Sequence, residues 1–272
     1  MTQCVVIKMR YLDYDELKVF KGDDIKIQDS FYIHQPTLQN IYDYGEREFY
    51  SLVSILCSTP NDMCFQLDDI GVDFTQISCY ELFYSIIIHS LPKEKTKILF
   101  GDLDFTQFEI KVDKQKQIYL EQTITSYQIV RSFFIFKKKI ITEQKVIIND
   151  FIYEGLTQCL RDMFGLIKDE RVPMNNARKQ EMIEDARENY EYSKLLPYNS
   201  TLKNLISTLV NNSGFKYNHD EVWNMKIVPF MDSFRRICKV TNAILLLQSG
   251  YSGYGINLDK IDKKQLDWTG DL

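Results

Sequence analysis

The sequence predicts an α+β protein, predominantly helical, with a small N-terminal β-hairpin, a second β-hairpin inserted midway and a helical C-terminal half. Three patterns carry this. Apolar residues recur at helical spacing in Phe49, Leu52, Val53 and Leu56. The period drops to two in "FEIKV" and "IYLEQ". Beyond a joint at 141–149, helical spacing returns in Leu156, Cys159, Leu160 and Met163.

Short extended runs open the chain: "CVVIKM", then "IKIQDSFYIHQ", approached through Gly22, Asp23 and Asp24 and connected tightly at Asp29 and Ser30. Pro36 keeps Gln35 out of helical geometry, and the Thr37 hydroxyl is placed to accept a backbone N–H, so a helix begins at Leu38. Its core face is Phe49, Leu52, Val53 and Leu56, leaving Asp43, Glu46, Arg47 and several tyrosines nearer solvent, and it stops at Ser58-Thr59-Pro60. A short helical piece follows through "DMCFQLDDIG". Ser78-Cys79-Tyr80-Glu81 fits the S-x-x-E box, in which serine and glutamate satisfy each other's orphan N–H groups. The helix it opens runs through His89 and is apolar on nearly every side in "LFYSIII", as a central core helix must be.

Between Lys95 and Gln122 the runs "KILF", "FEIKV" and "IYLEQ" read as extended, and the polar "DKQK" separates the last two as a hairpin turn. "TSYQIVRSFFIFKKK" suits a strand by its aromatics and a helix by its length and placement; the helix is preferred. The stripe Ile152, Leu156, Cys159, Leu160, Met163 and Ile167 predicts a helix before the connection "KDERVPMNN". A charged outer helix follows in "ARKQEMIEDARENYEYSK", with a narrow apolar stripe at Met182, Ile183 and Ala186. Leu202, Leu205, Ile206 and Leu209 mark the next helix, which Gly214 closes. Phe230, Phe234, Ile237, Thr241 and Ile244 mark a long last one, with Pro229 in its first turn and Gly250 at its end. In "GINLDKIDKKQLDWTGDL" apolar residues are too few to offset an ordering entropy of about 1–2 kcal/mol per residue, which predicts a mobile tail. The organisation is therefore 1–140 mixed, 141–254 helical and 255–272 tail, without an internal repeat.

With 272 residues, 44% of them hydrophobic, the chain can bury a core as one large domain or two ordinary ones. A net charge of −5 argues against general affinity for nucleic acid, since phosphate neutralisation needs clustered lysine and arginine. The six cysteines, at 4, 57, 64, 79, 159 and 238, form no C-x-x-C pair and read as reduced, buried thiols of a cytosolic protein. Charges arrive too early at the N-terminus for a signal peptide. The uncharged stretch 240–258 is broken by glycine, serine and asparagine, so no membrane span is expected.

Motifs for catalysis, metal or cofactor are not apparent. "GYSGYG" has its glycines in the wrong order for a phosphate loop and follows a helix rather than a strand. None of His34, His89 and His219 has a histidine one helical turn away, and a cysteine–histidine pair assembled only by the fold would be invisible at this level. Asp68, Asp69 and Asp73, and Asp102, Asp104 and Glu109, could gather around a hard cation, but they match no EF-hand loop and read better as solvated turn residues. "FFIFKKK" could flank a nucleic-acid strand, although a buried aromatic face ending in solvated lysines accounts for it more simply.

One stretch carries a family likeness. "IKIQDSFYIHQPTLQNIYDYGEREFYSLVSILCSTPND", followed by "FTQISCYELFYSIII", resembles the tail assembly chaperones of bacteriophages and prophages of low-GC Gram-positive bacteria over residues 24–90. The carriers are Pro36-Thr37-Leu38, Tyr44-Gly45-Glu46 and Cys79-Tyr80-Glu81-Leu82-Phe83. The resemblance implies a non-enzymatic, cofactor-free protein of the host cytoplasm that binds the tape measure protein and recruits tail tube protein. Such work needs broad apolar and aromatic surfaces, which 17 Tyr and 17 Phe could supply. On this reading Tyr42, Tyr44 and Tyr50 form part of a partner-facing strip and Trp268 anchors the tail in a partner; the alternative is that the three tyrosines merely cap the first core. Two other functions compete: a structural tail or virion component, and a cytosolic phage enzyme or host-interaction protein without a recognisable motif.

Overall fold

A computed structural model describes residues 15–29, 31–131, 137–252 and 255–270, with the backbone alone between 126 and 142; the run "CVVIKM" lies outside them. Helix α1 (Glu16–Lys21) is capped by the Asp15 carboxylate and closed by Gly22 at φ 96°. Strands β1 (Ile25–Gln28) and β2 (Phe31–Ile33) form the expected antiparallel hairpin. Helix α2 (Leu38–Tyr44) starts where Pro36 and Thr37 place it: Thr37 Oγ1 accepts from Asn40 N at 3.1 Å while Asn40 Oδ1 accepts from Thr37 N at 3.0 Å. The helix expected to continue to Ser58 breaks at Gly45, whose φ of 100° is closed to most side chains, and resumes as α3 (Glu46–Cys57).

Next come α4 (Cys64–Asp69) and α5 (Cys79–Ser85). Only the serine half of the Ser78 box forms, with Oγ accepting from Glu81 N at 3.1 Å. Ser78→Ala should therefore cost about 1 kcal/mol in a thermal melt; an unchanged transition would place the helix start elsewhere. Helix α5 ends four residues before His89, and the chain tightens into a 3₁₀ turn, Ile87–Ser90, leaving Ser85 exposed and Ile86 half-buried. "KILF" is not a strand: it ends α6 (Lys93–Phe100), whose buried Thr96, Leu99 and Phe100 share one helical face.

The second sheet is β3 (Glu109–Val112), β4 (Ile118–Arg131) and β5 (Lys137–Ile148), antiparallel in that order. The "DKQK" turn stands as expected. The helix preferred for "TSYQIVRSFFIFKKK", of which 132–136 lie outside the described residues, is instead strand: β4 pairs with β5 in unbroken register from Leu120↔Ile148 to Arg131↔Lys137, which satisfies backbone groups along a β-branched and aromatic run. Strand β5 also carries the sheet past residue 141, so helix resumes only at α7 (Asp150–Phe164). There Gly165 at φ 69° ends the stripe after Met163, and Ile167 is 95% exposed.

The remaining helices are α8 (Asn176–Leu195), α9 (Thr201–Val210), α10 (Ile227–Tyr251) and α11 (Lys263–Leu266), with 3₁₀ turns at Val222–Asn224 and Leu258–Lys260. Residues 255–270, read as a mobile tail, lie along α10: Arg236 Nη1 donates to the carbonyls of Trp268 and Gly270 at 2.8 Å, and Lys239 Nζ to Gly270 O at 3.1 Å. Gly250 permits the return, since a Cβ there would stand 2.3 Å from Leu258 Cγ.

One contiguous core runs from Ile25, Phe31 and Ile33 through α3, α5 and α7 to Leu120, Val146 and Ile148 of the second sheet, and on to Leu202, Ile206 and Phe230. The chain ends of this core are joined by backbone as well. Leu38 N donates to Met225 O and Ile227 N to Pro36 O, both at 3.0 Å, around an antiparallel bridge between Thr37 and Lys226. Arg161, although charged, is 3% exposed, because Nη2 donates at 2.8 Å to Cys57 O, a last-turn carbonyl of α3 that α3 itself leaves open, and Nη1 at 3.2 Å to Thr157 Oγ1.

Candidate functional site

The start of α9 is set by Ser200, whose side chain accepts from Lys203 N at 2.9 Å. From there Leu202 and Ile206 turn into the core, with Val210 partly covered, while Lys203, Ser207 and Asn211 stay exposed. Facing this helix is an aromatic corner. Tyr42, 66% exposed on α2, meets Trp223 edge-on at 5.8 Å between ring centroids, and His219 meets the same indole at 6.3 Å. Between the corner and α9 lies a groove of about 610 Å³. Glu46, the first residue of α3, also lines it, and its Oε1 accepts from Leu202 N at 2.8 Å. That places a carboxylate against orphan N–H groups at the positive end of α9. Partial burial and the Glu46 carboxylate together push the Tyr198 hydroxyl up to about 12. The groove therefore has an aliphatic wall, an aromatic wall and an acidic residue already engaged. Lys203 has no carboxylate partner among the described residues.

Of the four sequence-derived candidates, only Tyr42 faces this groove. Tyr44 is half-buried, donates to Lys95 O at 2.9 Å and meets Phe49 edge-on; burial raises its hydroxyl's pKa. Tyr50 is half-buried between Phe49 at 5.6 Å and Phe164 at 6.4 Å, and burial pushes its hydroxyl up to about 12. These two pack, partly buried, against the core. Trp268, 54% exposed, does not line the groove. The aromatic wall was missed because Trp223 and His219 lie far along the chain from Tyr42. One signal was present: the first of only two tryptophans, in "HDEVW", outside any helical stripe.

Elsewhere the chemistry is structural in character. His34 Nδ1 lies 2.7 Å from Asp24 Oδ2, and Asp24 Oδ1 accepts from Gln35 N at 3.2 Å, so the pair fastens the first hairpin. Burial pushes the Cys57 and Cys159 thiols up to about 12, far from a reactive thiolate. The acidic clusters are claimed by cations: Asp69 by Arg187 at 2.7 Å, Asp73 by Lys179 at 2.6 Å and Asp102 by Lys93 at 2.9 Å. Hydrogen bonds from Lys179 and Thr75 hold the Asp73 carboxyl down to about 2. Among the described residues no three His, Cys, Asp or Glu side chains are gathered as a metal site, and no helix is long and apolar enough to cross a membrane.

Residues 193–272 match the YomV second domain, a phage-derived protein family, which supports a phage origin for the chain. The match covers well under half of the sequence but contains all of α9, His219 and Trp223, so the groove lies where that segment meets α2 and α3. No curated protein and no solved structure matches the chain.

Proposed function

We propose that this chain is a non-enzymatic phage tail assembly factor that binds the tape measure protein and tail tube protein while the tail is built in the host cytoplasm. The observation that carries this reading is the groove of about 610 Å³ with Tyr42 on its rim, on a chain of phage origin. An apolar cleft with exposed aromatics suits the cover of aggregation-prone helices, a task that requires area rather than tuned proton transfer. The likeness of residues 24–90 to tail assembly chaperones supports the same role. Co-expression with the tape measure protein of the same phage should raise that protein's soluble yield and bring the two down together. Unchanged solubility with no co-purification would reject the role.

A structural tail component is the second reading, favoured by the second sheet. Strand β3 pairs with β4 only as far as Glu121, whereas β4 and β5 continue together to Arg131 and Lys137. Ten residues of paired ribbon reach about 33 Å, and a two-stranded ribbon is marginal alone in water, so such an arm gains from a neighbouring subunit. Purified particles separate the readings: a structural part is present stoichiometrically, an assembly factor is absent.

A further inference from the structure

We propose that the groove between α9 and the Tyr42–Trp223 corner receives an amphipathic helix of another protein, laid along α9 with an apolar i, i+4, i+7 stripe inside and a carboxylate on its flank against Lys203. For the identity of that protein the proposal rests on the tail assembly reading; for the surface and its chemistry it stands on the groove.

Length is the first argument. Leu202 to Val210, the aliphatic wall, covers about 12 Å of helix axis, and an i to i+7 stripe on a facing helix covers about 11 Å. The volume, about 610 Å³, lies within the roughly 300–1,000 Å³ of ordinary ligand sites.

Backbone satisfaction is the second. The long wall is a helix whose own N–H and C=O groups are paired, so it offers no ladder to an added strand. An extended peptide would leave backbone groups unpaired in an apolar cleft, while a helix brings its backbone already satisfied.

Charge decides the flank. Glu46 already accepts from Leu202 N through Oε1, whereas Lys203 stands exposed on the groove face of α9 without a carboxylate partner among the described residues. A carboxylate on the incoming helix completes that pair. The preference is diagnostic because the whole chain carries a net charge of −5, which by itself would draw in a basic peptide rather than an acidic one.

The test uses two synthetic helical peptides with leucines at i, i+4 and i+7 on an alanine background, one flanked by glutamates and one by lysines. Trp268→Phe leaves Trp223 as the sole indole reporter. The glutamate peptide should shift Trp223 emission to the blue with saturation and bind about tenfold more tightly than the lysine peptide. Lys203→Glu should invert that order, and Tyr42→Ala should weaken both peptides. Calorimetry with the unsubstituted protein should reproduce the order. No saturable binding to protein whose circular dichroism is native, or an order unmoved by Lys203→Glu, overturns the proposal. Tape measure capture that survives Tyr42→Ala together with Lys203→Glu also overturns it while the tail reading stands. Peptide binding as described without tape measure capture removes the tail reading and upholds the groove.

Discussion

Replacing Phe49 with alanine should lower the free energy of unfolding by about 3–5 kcal/mol, read as a shift of the urea midpoint at unchanged slope. The side chain is fully buried, and three rings close on it: Tyr50 at 5.6 Å, Phe164 of α7 at 5.5 Å and Tyr44 at 6.4 Å. Its removal leaves a cavity whose rim is two aromatic residues anchored elsewhere. Tyr44 is tied to Lys95 O, and Phe164 sits in the last turn of α7, so neither moves in freely. The cost therefore includes lost transfer energy and a persistent void. A loss below about 1 kcal/mol would mean that α3 does not pack on α7 through this residue.

The second large effect separates neighbours in one apolar run. Ile87→Ala should cost about 2–5 kcal/mol, while Ile86→Ala should cost about 1 kcal/mol or less. Ile87 is 2% exposed and belongs to the 3₁₀ turn; Ile86, at φ −125° and ψ −57°, breaks α5 and keeps a face toward solvent. Had the helix continued through His89, as "LFYSIII" led one to expect, the two positions would be equally sensitive. Equal losses in paired denaturation curves would restore that helix.

What was legible depended on how locally each feature is determined. Pro36 and Thr37 act on the next residue alone, and α2 begins at Leu38 as they require. The stripe in α7 and the starts of α9 and α10 likewise follow from spacing within a few turns. Four residues such as "KILF" cannot distinguish a period of two from one of 3.6, and Pro92 with the good helix formers behind it decided for α6. Gly45 was visible, but its break required a positive φ that glycine permits without compelling. For "TSYQIVR" the deciding partner was a strand beyond the turn, so intrinsic preference could not settle it. The groove was the least legible, because Tyr42 becomes a wall only when Trp223 folds back beside it.

The backbone seam between residues 36–38 and 225–227 sets a timetable on the ribosome. Lys226 Nζ reaches Gln35 O at 2.7 Å across 191 positions of chain, so none of the seam can form until residues 225–227 have emerged. At about 5–20 residues per second, the stretch after Gln35 takes about 10–40 s to synthesise. Through that interval the apolar surface that Ile227 and Phe230 will cover has no native partner, and closing so long a loop must precede any gain from it. The first hairpin and α2 thus spend their early life waiting for the last third of the chain, which makes slow, late closure of this seam the step at which a truncated or stalled product is most exposed to aggregation.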